Sequence, residues 1–434
     1  MKCNTYGKLL SGGKNKVGDN NMKKIKFTIL LLMIICSFVG CTDSNKKASS
    51  KNITTNKQLT QKEKLDDFEY MYTVLKENYP YFEVNKRVSG IDWLSKKKEY
   101  ISQIKITTDD DSFVNTLQNI LSELSNGHAS MLNKNFYTYA KSLYEINPQI
   151  NEAWLNQLNN SKATIRYSRM PDTGSVLQVS SNNVTPDNVK TTILEEGKVA
   201  YLSIHMFNTF NVEGDMKIIE PFLQSIKNYK SLIIDIRGNG GGDARYWADN
   251  IVPMLINRPF IDTQYIAYRG GSFIEQFIKC RREFGYEGLQ PISSIDELKL
   301  KNAPPELKES FKYYSENTTS YSPQNSIGFK GKIYLIIDGS VFSSSEAFAT
   351  FSKSTGFATL IGERTGGDGI GDDPAICTLP NSGYNFRFTK AMGLTSDGTC
   401  NFEYKTDPDI KVSAKVGSNL SNDEAIQTVL KIVD

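Results

Sequence analysis

Histidine is scarce in this chain: His128 and His205 are the only two among 434 residues. That excludes a His-rich metal centre and leaves little choice if an imidazole is to move protons. No Cys-x-x-Cys pair occurs, which removes zinc-ribbon and thioredoxin-like readings. The formal net charge is only +3 and the basic residues are spread out, so there is no electrostatic footprint for nucleic acid. A glycine run at 238–242 is followed by Asp243 rather than by Gly-Lys-Ser/Thr, and a phosphate would be repelled there. No internal repeat is visible. What is present is 39% hydrophobic and 11% aromatic residues, enough to build real cores, in a chain long enough for two or three modules.

The N-terminal segment reads as an address. Lys23-Lys24-Ile25-Lys26 precedes an apolar stretch from Phe27 to Ile35, then Ser37-Phe38-Val39-Gly40-Cys41. This is a basic n-region, a short h-region and a small residue before a cut, too short for a comfortable membrane span. A cysteine just after the cut resembles a bacterial lipoprotein signal, with Cys41 lipidated and Met22 the expected start. Residues 1–41 are therefore expected to be a signal region. Residues 42–61, rich in Ser, Lys, Asn and Thr, cannot bury a core and read as a tether. Three cysteines then remain in the body, Cys280, Cys377 and Cys400, and they allow one disulfide at most. Cys377–Cys400 is the conceivable pair.

Residues 62–130 have helical spacing. Leu65, Phe68, Met71 and Leu75 share one face, a second helix opens at Asp92, and a third runs from Ser112 to a stop at Asn126-Gly127. His128 would be the first residue after that helix. Residues 131–195 read as a bridging region with short strands near Thr164–Tyr167 and Val176–Val179. The core spans 196–434. In it, strands at 199–206, 232–236, 261–268, 333–337 and 359–361 alternate with helices at 215–227, 244–256 and 344–354. A polar, partly helical excursion occupies 270–324, and a β-rich tail leads to a last helix at 422–432. Strands alternating with helices imply a crossover sheet of α/β type.

Two strand–turn–helix units carry the chemistry. Apolar residues 231–236 run into Arg237-Gly238-Asn239-Gly240-Gly241-Gly242, and residues 332–338 run into Val341-Phe342-Ser343-Ser344-Ser345-Glu346. A parallel sheet can present a nucleophile and backbone N–H donors at its carboxyl edge in this way. Taken alone, the serines also suit a helix cap, and the glycines suit an oxyanion hole better than a phosphate site.

These segments, together with Leu121–His128, Leu360–Gly367 and Phe402-Glu403 ahead of Asp407-Pro408-Asp409-Ile410, resemble a known serine peptidase family. It is the family that contains the tail-specific (C-terminal processing) proteases and the tricorn core protease. The pieces fall in family order across residues 65–434. The resemblance implies an α/β fold: an N-terminal helical subdomain followed by a crossover αβ sandwich of the ClpP/crotonase kind. Tail-specific members pair the serine with a lysine, but that position falls here on Asp368. No PDZ-like Gly-Leu-Gly-Phe loop follows His128. Both departures favour the tricorn-like branch, which uses a histidine.

By that resemblance Ser343 is the nucleophile, with Ser344 or Ser345 as alternatives, and His128 is the base. Glu403 would orient the imidazole, or else be an exposed strand glutamate. Gly241 and Ser344 would supply the oxyanion hole, with Gly240 an equal rival to Gly241. Asp235 and Arg237 read as a buried structural pair. No metal or cofactor is implied. The expected substrate is a peptide or unfolded protein, and the expected place is the extracytoplasmic face of a bacterial membrane. A second reading is a non-catalytic binder of apolar ligands or peptides on the same fold, as in interphotoreceptor retinoid-binding proteins. Ser343 and His128 discriminate, because a binder has no reason to keep both.

Overall fold

Runs of consecutive apolar residues make the centre of the molecule, because a parallel strand covered on both faces needs no polar side. In the computed structural model, which describes residues 58–171, 188–283 and 288–433, Val199–Ile204 and Ser231–Asp235 are buried at every position. The signal region, Cys41, nearly all of the tether and the strand expected at Val176–Val179 lie outside the described residues. The main sheet has six strands in the order Ile410–Lys411, Thr359–Gly362, Lys332–Ile337, Ser231–Asp235, Val199–Ile204 and Val189–Glu195. Only the last pair is antiparallel; the others are parallel.

Alternate residues serve the two faces. Leu232, Ile234, Leu335 and Ile337 pack with Ile219, Leu223, Phe348 and Phe351 of the helices Val212–Ser225 and Ser344–Thr355. Tyr201, Ile233, Tyr334 and Ile336 pack with Ala425, Ile426 and Val429 of the last helix, Glu424–Val433. Because Ser231–Asp235 and Lys332–Ile337 are parallel neighbours, with Asp235 opposite Ile336, the glycine turn and the serine turn emerge side by side.

A second body of structure covers that edge. Helices Gln61–Asn78, Phe82–Ser89, Lys97–Lys105 and Asp110–Ser122 form one core with two small antiparallel sheets. Thr60 and Asp109 cap two of these helices with reciprocal capping boxes. One sheet joins Ser130–Met131, Asn385–Phe388 and Ala375–Thr378; the other joins Met392–Leu394, Phe260–Tyr268, Tyr313–Tyr321 and Leu289–Pro291.

Several expectations are corrected. Thr164–Tyr167 is not a strand: it lies in the helix Ser161–Arg169, whose buried Ala163 and Tyr167 sit four apart on one face. The helix expected at 244–256 is broken into Arg245–Ala248 and Val252–Leu255, with Pro253 in the first turn of the second. Phe260–Tyr268 is a strand as expected, and it pairs along its whole length with Tyr313–Tyr321, a strand inside the polar excursion at 270–324, whose helical parts are Glu275–Glu283 and Leu307–Ser310. The helix before His128 ends at Ser122, and the left-handed residue is Ser125 (φ 52°), not Asn126-Gly127. Cys280, Cys377 and Cys400 are buried free thiols, so the conceivable 377–400 bridge is absent.

Arg237 and Asp235 form the buried pair read from the sequence, at 2.5 Å, and Arg237 also reaches Asp423 at 2.9 Å. A carbonyl bond to Ala414 and the Tyr201 hydroxyl on Asp235 complete the network. It fastens the start of the glycine turn to the segment before the last helix. Arg237→Ala strands two buried carboxylates, and the expected loss is roughly 3–5 kcal/mol, the usual effect of removing one partner of a buried pair. Urea unfolding of the variant measures it; a loss under about 1 kcal/mol would show the network to be incidental.

Candidate active site

Ser343 sits between the strand Lys332–Ile337 and the helix Ser344–Thr355 with φ 58° and ψ −124°, a backbone shape that a side-chain-bearing residue rarely takes. Such a turn lifts the hydroxyl out of the sheet edge, as a nucleophile elbow does. The turn is held by Ser343 N–H donating to Gly367 O and Gly366 N–H donating to Val341 O. The three serines separate cleanly. Ser343 Oγ lies 3.1 Å from His128 Nε2, Ser345 Oγ donates to Asn239 Oδ1, and Ser344 Oγ is buried with no partner among the described residues.

His128 is carried by the helical body. Its backbone N–H donates to Asn126 Oδ1 at 2.8 Å, and its ring packs on Phe342 with centroids 4.7 Å apart. The space beside Gly127 is tight, since a side chain there would come within 3.1 Å of the Phe342 ring. The other ring nitrogen, Nδ1, lies 2.8 Å from Asp368 Oδ2. Asp368 also accepts from Asn126 Nδ2, Thr389 Oγ1 and Tyr81 OH. Burial pushes the Asp368 carboxyl up, but hydrogen bonds and charge from His128, Asn126 and Thr389 outweigh it and hold the acid below its ordinary value. An ionised carboxylate on Nδ1 leaves Nε2 to accept a proton from Ser343.

Glu403, expected to orient the imidazole, lies elsewhere. It sits in the short helix Asn401–Tyr404 rather than on a strand, and forms a double contact with Arg87, which also holds Glu306. Both Glu403 carboxylate oxygens are taken up by Arg87. Asp368 takes the position instead. The signal in the sequence is the acid that stands where tail-specific members keep lysine.

The glycine turn lies against the serine turn. A side chain at Gly241 would come within 2.9 Å of Ser343 Cβ and 3.0 Å of Ser344 N, and one at Gly242 within 2.1 Å of Phe207 O. The Gly241 N–H, however, donates to Asn239 Oδ1, so it is engaged rather than aimed at a substrate. Ser344 opens its helix, where the first N–H groups have no intrahelical acceptor. Among the described residues no group of His, Cys, Asp and Glu could hold a metal ion, and no helix is long and apolar enough to cross a membrane.

Glu346, in the first turn of the helix behind Ser343, has a role that the motif alone does not indicate. It is buried and accepts from Asn401 Nδ2 and Thr406 Oγ1, while Asn401 Oδ1 in turn accepts from Gly369 N–H, next to Asp368. Burial raises its pKa to about 7, against the lowering effect of Thr365, Thr406, Asn401 and Gly367. The folded state therefore holds a proton that the unfolded chain loses near 4.5, and stability falls as pH rises from 4.5 to about 7. Glu346→Gln should remove that slope. The wild-type minus variant difference, from chemical unfolding at pH 5 and pH 8, should change by a few kcal/mol in the variant's favour at the higher pH. A pH-independent difference contradicts it.

Residues 198–412 match the model described as peptidase family S41. No curated protein sequence matches the chain. Among solved structures, a putative peptidase from Parabacteroides merdae aligns over 85% of this chain and 96% of its own, with TM-score 0.53 and 19% identity. Mature CPAF aligns over 82% of this chain and 93% of its own, with TM-score 0.51 and 14% identity. At such identities the likeness is one of fold, and it extends well beyond the matched family segment. The chain belongs to peptidase family S41 and is a serine protease.

Proposed function

We propose that the protein hydrolyses peptide bonds through Ser343, His128 and Asp368 by way of an acyl-enzyme, while tethered to a membrane by lipid on Cys41. The observation that carries the catalytic reading is the continuous line of contacts Ser343 Oγ–His128 Nε2 at 3.1 Å and His128 Nδ1–Asp368 Oδ2 at 2.8 Å. Ser343 Oγ attacks the scissile carbonyl as His128 takes its proton, and His128 then returns that proton to the leaving amine. Asp368 keeps the Nδ1 proton in place and stabilises the imidazolium without taking the proton itself. The N–H of Ser344, with that of Gly240, stabilises the oxyanion. Water repeats the sequence on the acyl-serine and frees the carboxylate. This is the histidine-dependent branch of the family rather than a Ser–Lys dyad.

The substrate class is peptide or unfolded protein, as the family implies. The tether reading rests on the basic segment 23–26, the apolar run and Gly40-Cys41.

Ser343→Ala is expected to abolish fluorophosphonate labelling and peptide hydrolysis. His128→Ala should lower kcat by orders of magnitude with little change in KM, and Asp368→Asn by roughly 10⁴, the effect of the wrong tautomer in such triads. Glu403→Gln should fall far short of that. Turnover retained in His128→Ala, or a larger loss in Glu403→Gln than in Asp368→Asn, would overturn the assignment. For the tether, mass spectrometry of the membrane fraction should find a lipid-modified N-terminal cysteine at position 41; an unmodified N-terminus counts against it.

A further inference from the structure

Arg387 stands beside this site with no acid to match it among the described residues. It lies opposite Ser130 in the small sheet, donates from Nε to Ser130 Oγ at 3.1 Å and from Nη2 to Gly127 O at 3.2 Å, and rests 4.3 Å above the Phe136 ring. Gly127 immediately precedes His128, so the guanidinium contacts the peptide unit that leads into His128. Neighbouring cations are matched differently: Arg281 holds Asp373, Lys390 holds Asp372 and Arg245 holds Asp243. Among the described residues no carboxylate pairs with Arg387, and only two of its five N–H groups find a protein acceptor. Burial depresses its pKa, yet a guanidinium stays charged. A partly buried cation without a counter-charge opposes folding, so its persistence here calls for a role in binding.

The surroundings suit an extended chain. From Phe136 a row of partly exposed rings continues to Tyr139, 6.0 Å away, and to Phe210, a further 5.9 Å. Phe210 follows Phe207, whose backbone bridges Gly242 in the glycine turn. Arg387 and the glycine turn thus bracket an aromatic surface next to Ser343 and His128.

We propose that Arg387 is a specificity-determining residue that pairs with a carboxylate of the peptide substrate. The carboxylate is either the terminal one or that of an Asp or Glu side chain near the scissile bond. A planar fork matches a carboxylate bidentately, which gives orientation as well as affinity. The inference rests on the peptidase reading above.

The test uses two peptide pairs: one differing only in a C-terminal carboxylate against an amide, the other only in Glu against Gln beside the cleaved bond. The wild-type full chain should favour the charged member of one pair by about tenfold to a hundredfold in kcat/KM, and the responding pair identifies the source of the carboxylate. In Arg387→Gln that ratio should fall to near one, and in Arg387→Lys to an intermediate value, which serves if the glutamine variant does not fold. Because the ratio is taken within one variant, a purely structural loss cancels. Equal ratios in wild type and Arg387→Gln, or no preference in either pair, would overturn the proposal. Calorimetric binding of the same peptides to Ser343→Ala and to Ser343→Ala/Arg387→Gln separates the two claims. Carboxylate-selective binding that needs Arg387, without any cleavage by the wild type, would sustain this inference while removing the catalytic one.

Discussion

Everything at the site depends on keeping one carboxylate ionised out of water. Asp368 is buried, and an unmatched charge there would be unfavourable by several kcal/mol. Four donors offset that: Tyr81 from the first helices, Asn126 and His128 from the segment after the fourth helix, and Thr389 from the end of a strand. None of these elements belongs to the main parallel sheet, and the loop carrying Asp368 is anchored to the serine turn through Gly366 and Gly367. One hydrogen-bonded anion therefore clips the helical body onto the sheet edge and at the same time fixes the imidazole. Removing it would loosen the seam and release the ring together.

Close approach of two turns is the second constraint. Parallel pairing brings the glycine and serine turns to the same edge, but they meet only because Gly241 has no side chain to hold them apart, while Gly242 lets the Phe207 backbone close on the other side. Asn239 stands at the centre of that contact. Its Oδ1 accepts from Gly241 N–H and Ser345 Oγ, and its Nδ2 donates to Ile204 O. The third serine of the turn, Ser345, thus braces the glycine loop, which leaves Ser343 as the hydroxyl that meets His128.

The parts most legible in the sequence were those with a strong local signature. Continuous β-branched runs marked the buried strands, and the turn after each marked the chemistry. Less legible were segments whose partners lie far along the chain. Tyr313–Tyr321 is polar and Tyr-rich and reads as nothing definite until Phe260–Tyr268 pairs with it. Ser161–Arg169 contains Thr, Ile and Tyr, residues at home in strands, and becomes a helix because Ala163 and Tyr167 face a core made by other segments. The choice between Glu403 and Asp368 could not be read from motif order, because it depends on Arg87, more than three hundred positions before Glu403, drawing that acid away. Gly241 lies against the serine turn, but its N–H is satisfied locally by Asn239, a contact that motif spacing does not encode.

The separations along the chain have a consequence for how such an enzyme comes to life. Ser343 lies 215 positions from His128, Asp368 lies 240 from His128 and 287 from Tyr81, and the arginine heading the glycine turn is clamped by Asp423. A chain emerging from the ribosome displays this histidine first, and the hydroxyl and acid follow only 215 and 240 residues later, with the clamp later still. The growing polypeptide thus carries the pieces of the site far apart, and the line from Ser343 through His128 to Asp368 closes at once with long-range contacts rather than accumulating during synthesis.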